Sequence, residues 1–219
     1  MPAIDTERQN VRITAGTVAL EGDLSIPHNA TGVVLFAHGS GSSRHSPRNR
    51  FVADDLVHRG LATLLIDLLT VDEERIDVQT GHLRFDIRLL ANRLVMATDW
   101  LQTQSFTRDL KIGYFGASTG AGAALTAAAE RPDCVGAVVS RGGRPDLART
   151  ALAHVHAPTL LIVGGDDTPV ISLNKEALAK LNVQKELYIV PGASHLFEET
   201  GALEQVASLA GDWFKRFLK

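Results

Sequence analysis

A serine between two glycines, in Gly116-Ala117-Ser118-Thr119-Gly120, stands where the apolar stretch Lys111 to Phe115 gives way to an alanine-rich run ending at Glu130. A Gly-x-Ser-x-Gly turn from strand into helix strains its central residue, pushes the hydroxyl out over the sheet edge and demands small neighbours. Gly116, Ala117 and Gly120 meet that demand. The same residues would also suit a plain helix start with Ser118 as N-cap, so the chemistry depends on partners. A serine hydroxyl attacks near neutral pH only when a base takes its proton. Of the eight histidines, His195 lies in a loop, Pro191 to Ser194, that follows a β-rich stretch and precedes the last helical pattern. In an open α/β sheet such a loop sits at the carboxyl edge of the strands, on the side expected for Ser118. The imidazole in turn needs a carboxylate to fix its tautomer and support its cation. Leu160 to Val163 leads through Gly164-Gly165 to two, Asp166 and Asp167.

Attack on a carbonyl also needs donors for the negative oxygen that develops. The backbone N–H of Thr119, next after the serine, is one. The second is expected at Ser40, in His38-Gly39-Ser40-Gly41, which closes the continuous apolar run Gly32 to Ala37. His38, held before a glycine, reads as a brace for that loop rather than as a base.

The elements that must position these groups follow from the hydrophobic pattern. Val11 to Thr14 and Val18 to Ile26, split by Gly16, predict an antiparallel hairpin. Continuous apolar runs at 32–37 and 62–69, then 111–115, 135–140, 159–163 and 186–190, predict strands of a largely parallel sheet. Helices are expected at 47–59, along the face Leu83, Ile87, Leu90, Leu94, Ala97 and Leu101, and at 118–130, 173–181 and 203–218. Alternation of this kind places helices on both faces. Val71 to Thr80 is polar and acidic, too irregular to assign, and is expected as a loop over the site.

The motifs His38-Gly39-Ser40-Gly41, Gly116-Ala117-Ser118-Thr119-Gly120, Gly164-Gly165-Asp166-Asp167 and Ser194-His195 resemble those of the dienelactone hydrolase-like group of the α/β-hydrolase superfamily, from Val18 onward. That group's name-giving members carry cysteine where this chain has Ser118. The resemblance implies an α/β-hydrolase fold and a serine, acid, histidine order along the chain, while length and the lack of any repeat or linker predict a single domain over 1–219. Aligning Gly164-Gly165 with the group's glycine turn places the acid at Asp167, with Pro169 starting the descent into the next helix. It further implies cofactor-free cleavage of a carboxylic ester, lactone or thioester through an acyl-serine. The same machinery serves acyl transfer and amide hydrolysis, and the fold also hosts non-catalytic ligand-binding proteins.

Composition narrows the field. With 219 residues, 45% hydrophobic and 21% charged, the chain can bury a core without disulfides or metals. The net charge of −3 gives no footprint for nucleic acid. Met1 to Asn10 lacks an apolar core and no run reaches membrane-spanning length, so neither a secretory signal nor a membrane partner is expected. The lone Cys134 suits a reducing, cytoplasmic setting and a buried structural thiol. His154 and His156 lack companions at metal-ligand spacing, no metal is expected, and the missing third glycine after Gly39 and Gly41 argues against a dinucleotide. Arg141 and Arg144 follow a strand toward the same edge. Either they pair with Asp146, Asp166 or Asp167, or Arg141 clamps a substrate carboxylate. Oligomeric state leaves no mark in the sequence.

Overall fold

The computed structural model describes residues 5–219. β1 (Thr6–Ala15) and β2 (Val18–Pro27) form the expected hairpin, turning at Gly16 and Thr17 with Ala15 opposite Val18. After β3 (Gly32–Ala37) and α1 (Pro47–His58) come β4 (Ala62–Ile66), α2 (Val71–Thr80) and α3 (Ile87–Thr103). Then follow β5 (Lys111–Ala117), α4 (Thr119–Glu130), β6 (Val135–Arg141), a 3-10 segment Pro145–His154, β7 (Thr159–Gly164), α5 (Thr168–Lys180), β8 (Lys185–Val190) and α6 (Ala202–Phe217). One eight-stranded sheet has the order β1-β2-β4-β3-β5-β6-β7-β8, antiparallel at the hairpin and parallel from β4 to β8. This is the α/β-hydrolase architecture.

Every residue of β3, β4 and β7 is buried, which is why these segments read as continuous apolar runs rather than alternating ones. Their side chains divide between two cores. Val34, Phe36, Phe115 and Val139 meet Val52 and Leu56 of α1 and Val206 and Phe214 of α6. Val33, Leu35, Leu64 and Tyr114 meet Leu90 and Leu94 of α3 and Ala124 and Leu125 of α4. Each large side chain removed from water contributes about 1.5–3 kcal/mol. Among the described residues, no helix is long and apolar enough to cross a membrane.

Several boundaries differ from the sequence reading: β1 starts at Thr6 rather than Val11, α5 at Thr168 rather than Leu173, and three further differences adjoin the sheet edge. Residues 71–80 are helical, not a loop: the Thr70 hydroxyl accepts the Glu73 N–H at 3.2 Å while the Glu73 carboxylate accepts the Thr70 N–H at 2.8 Å. This reciprocal cap satisfies two orphan donors and overrides the weak amphipathic pattern. Next, β4 stops at Ile66, because the Leu68 N–H turns away to His38 Nε2 at 3.1 Å. Lastly, α3 starts at Ile87 rather than Leu83; Asp86 caps it, accepting the Leu89 N–H at 3.0 Å, after a separate 3-10 turn at Leu83–Phe85.

Candidate active site

The turn from β5 into α4 is fixed by absence of room. A Cβ on Gly120 would stand 2.3 Å from the Ala37 carbonyl oxygen and 2.5 Å from that of His38, and one on Gly116 2.5 Å from Ala121 Cα. Backbone contacts of this kind cannot yield, so both positions require glycine. Ser118, between them, has φ +50° and ψ −122°, a conformation that costs roughly 1–3 kcal/mol and persists only where its surroundings enforce it. Its N–H donates to the Arg141 carbonyl at 3.3 Å, and its own carbonyl accepts the N–H of Arg144 at 3.0 Å and of Ala121 at 3.1 Å. Its hydroxyl, partly exposed, has no hydrogen-bond partner among the described residues.

His195 and Asp167 are brought together from loops 28 residues apart, with His195 Nδ1 at 2.6 Å from Asp167 Oδ2. Asp167 is largely buried and His195 is 39% exposed, leaving the far side of the imidazole open. The Gly165 and Asp166 N–H groups donate to Val190 and Ala193 carbonyls at 2.8 and 3.0 Å, binding the acid loop to the histidine loop. Asp166 itself is exposed. Gly142 lies between the centres: it follows the Arg141 carbonyl that holds Ser118, and a Cβ there would be 3.6 Å from His195 Nδ1.

Two anchors of the histidine loop escaped the sequence reading. Phe197, 1% exposed and at φ +57°, drives its ring into the α1/α6 core. The Glu199 carboxylate accepts the Ser194 N–H at 3.0 Å, a bond that holds its pKa below the ordinary value. An apolar residue two places after the histidine, and an acid two further on, are the only marks these roles leave in the sequence.

Ser40 and Thr119 are also adjacent, but the Ser40 N–H is engaged by the Thr119 hydroxyl at 2.9 Å. His38 braces the loop: its Nδ1 lies 3.0 Å from the Gly39 carbonyl and its Nε2 accepts from Leu68. Donation from one nitrogen and acceptance at the other define a neutral ring, and burial lowers its pKa from 6.5 despite the opposing pull of Gly39, Asp67 and Glu74. Beside this loop, Leu68, Leu69, Glu74, Asp77, Arg84 and Leu90 close a cavity down to about 10 Å³. A larger groove of about 460 Å³, between the hairpin and α1, includes none of Ser118, Asp167 and His195 in its lining.

The two arginines part company. Arg144 grips Asp146 through two bonds of 2.8 Å. Arg141 is 7% exposed and reaches only Asn49 Oδ1, at 3.4 Å, while its Nε and Nη1 have no partner. Burial, and then the neighbouring Arg48 charge, push its pKa down to about 10, so it remains a cation at neutral pH. Cys134 is half-buried rather than buried, accepting from Gln102 at 3.3 Å. His154 and His156 are exposed.

Comparison with known proteins gives this arrangement a lineage. A crystal structure of dienelactone hydrolase from Anabaena variabilis is 65% identical, with a TM-score of 0.96 over 98% of this chain and 99% of that one. A cold-adapted esterase from an Arctic intertidal metagenomic library shares the fold at 18% identity and a TM-score of 0.77, over 100% of this chain and 97% of its own. A putative phosphoribosyl transferase of Mycobacterium tuberculosis is 58% identical over 206 residues, 94% of this chain but 46% of its own length. The chain thus spans about half the length of that curated relative. Residues 20–219 match the dienelactone hydrolase family, and the chain therefore belongs to that family of α/β hydrolases.

Proposed function

We propose that the chain is a serine hydrolase that cleaves a carboxylic ester, lactone or thioester through an acyl-serine, with Ser118 as nucleophile, His195 as base and Asp167 as the acid that orients it. The observation that carries this reading is the 2.6 Å bond from Asp167 to His195 Nδ1, across the sheet edge from a serine in an enforced strained turn. That bond leaves Nε2 as the proton acceptor. Ser118 Oγ attacks the substrate carbonyl as Nε2 takes its proton. The negative oxygen accepts from the Thr119 N–H and, once the Thr119 hydroxyl turns aside, from the Ser40 N–H. The intermediate collapses as His195 returns the proton to the leaving alcohol or thiol. Water, activated by the same nitrogen, then releases the acid. In the structure Ser118 Oγ is not bonded to His195, and such contacts commonly tighten only with substrate bound.

The reading calls on no metal or cofactor, and its partner is a small molecule rather than nucleic acid or membrane. An amide substrate or an acceptor other than water would use the same steps. The match covers 46% of the longer mycobacterial relative, and this reading takes nothing from the phosphoribosyl transfer in that protein's name. The test is Ser118→Ala: hydrolysis of nitrophenyl esters should fall about 10⁶-fold and labelling by a fluorophosphonate should vanish, with the melting temperature little changed. Absence of labelling in the unaltered protein would identify a non-catalytic binding protein instead.

A further inference from the structure

Asn174 stands in the middle of α5, fully buried, where a leucine would suit both the helix and the core better. Its Nδ2 donates to the Val170 carbonyl one turn earlier, at 2.8 Å, and to the Gly143 carbonyl, 31 residues away in the chain, at 3.0 Å. Two carbonyl acceptors fix the orientation of the amide. Its Oδ1 is then left buried and, among the described residues, without a partner, which destabilises the folded chain. What the side chain gives in return is the bond to Gly143, since no other donor reaches that carbonyl among the described residues.

Gly143 belongs to the four-residue loop 141–144, which touches every part of the site. The Arg141 carbonyl accepts the Ser118 N–H, and the Arg144 N–H donates to the Ser118 carbonyl, so the loop holds the nucleophile at both of its peptide groups. Gly142, at φ +51°, abuts the histidine loop: a Cβ there would stand 3.0 Å from the His195 carbonyl oxygen. Gly143 itself is pressed onto β6 and α4, with an added Cβ 1.9 Å from Ser140 Oγ and 2.6 Å from Ala121 Cβ. The helix that Asn174 ties to this loop is capped by Asp167. Seven residues separate the two, which is two helical turns, so they share a face of α5 roughly 10 Å apart along its axis. With Asp167 bonded to His195, the Asn174 bond closes a circuit that runs from nucleophile through loop and helix to acid and base.

We propose that Asn174 is a positioning residue: it holds the 141–144 loop, and through it the Ser118 turn, at the spacing from Asp167 and His195 that attack requires. The proposal rests on the hydrolase reading. Asn174 touches neither Ser118, Asp167 nor His195, so its loss acts on rate rather than on affinity. A nucleophile displaced by about 1 Å can lose on the order of 10²-fold in rate while the surface that binds substrate stays as it was. The bond between Asp167 and His195 does not pass through Asn174, so the pH dependence of kcat/KM should keep its shape.

Two variants test the link. Asn174→Leu keeps the volume and removes the donor, whereas Asn174→Ser is the gentler change: its hydroxyl can still bond back to the Val170 carbonyl but is too short to reach Gly143. Both should label to completion with a fluorophosphonate, at a rate about 30-fold lower, and kcat on a nitrophenyl ester should fall by the same factor with KM within twofold. A merely structural role would lower the melting temperature or the labelled fraction and leave the rate at each labelled site unchanged. That result overturns the proposal, as does a rise in KM with kcat unaltered. Should the unaltered protein neither label nor hydrolyse the ester, the hydrolase reading fails, and amide exchange still decides the link itself. The Arg144 N–H, which donates to the Ser118 carbonyl, should exchange tenfold or more faster in Asn174→Ser, while the amides of 33–36 keep their protection. Unchanged exchange at Arg144 would show that Asn174 does not hold the loop.

Discussion

Two segments meet over the carboxyl edge of the sheet, and different forces hold them there. The Ser118 turn is locked by contact: Gly116 and Gly120 are pressed against backbone that cannot move, and the strained serine is tied by three main-chain hydrogen bonds. α2, which lies against the His38 loop, is held by charge. Arg93 pairs with Glu73, and the buried Asp77 carboxylate takes the Arg84 guanidinium and the N–H groups of Leu83 and Arg84. Its outer face, with the 3-10 turn that follows, exposes Val71, Ile76, Val78 and Phe85. A steric lock does not depend on pH or salt, whereas a charge lock does. The Ser118 turn therefore sits on the part of the edge that solution conditions cannot loosen, and the cover on the part that they can.

The largest effect expected on this contrast is at the chemistry itself. Asp167→Asn keeps the shape of the turn but leaves the imidazole in the wrong tautomer, so turnover should drop about 10⁴-fold. Steady-state kinetics on a nitrophenyl ester measure it, and a loss below tenfold would remove Asp167 from the proposed triad. The steric lock is tested next by Gly120→Ala. With backbone oxygens at 2.3 and 2.5 Å from the added carbon, the variant should lose about 3 kcal/mol in denaturant unfolding, the upper part of the overpacking range. Ile76→Ala, on the exposed face of α2, should stay within about 0.5 kcal/mol. Similar values for the two would erase the distinction between the segments.

Acid should act on the cover and its contacts in two stages. His38 has a folded pKa below 6.5, so the unfolded chain binds the proton more readily, and the stability of the His38 to Leu68 link declines as pH falls below about 6.5. For Asp77, burial resists ionisation, but bonds from Arg84 and Leu83 outweigh it and lower the pKa from 3.8. Its contribution is therefore complete above that value and fades as pH falls through the lowered one. Amide exchange should accordingly rise around residues 66–70 first and across 71–85 only in stronger acid, while the amides of 116–121 remain protected. Simultaneous loss in all three would show that one cooperative unit, not two locks, holds the edge.

What the sequence made legible divides along the same line. Strands β3, β5, β6 and β7 are visible because burial on both faces writes uninterrupted apolar runs, and the Ser118 turn is visible because close packing admits only glycine and alanine. α2 was missed because its capping box and ion pairs join residues whose hydrophobic pattern is weak; the Thr70-x-x-Glu73 spacing was the available sign. The engagement of the Ser40 N–H by the Thr119 hydroxyl spans 79 residues and leaves no local mark. The lack of a counter-charge at Arg141 is equally invisible, since Asp146 follows it closely, Asp166 and Asp167 follow the next strand, and only the fold shows Arg144 taking the first.

The smallest effect expected is also the sharpest check on how the edge is built. Asp166 and Asp167 are adjacent carboxylates on one turn, yet backbone geometry sends them to opposite fates. The Asp166 N–H is committed to the Ala193 carbonyl at 3.0 Å and its side chain is exposed, while Asp167 heads α5 and turns its carboxylate onto His195. Asp166→Asn alters no hydrogen bond of the loop and removes only a hydrated charge, whose influence on the imidazole is screened within about 8 Å at physiological ionic strength. Turnover should therefore fall less than tenfold, against about 10⁴-fold for Asp167→Asn, and the double variant should match Asp167→Asn alone. A loss at Asp166 comparable to that at Asp167, or a double variant far below either single one, would mean that both carboxylates serve the histidine and that the turn moves during catalysis.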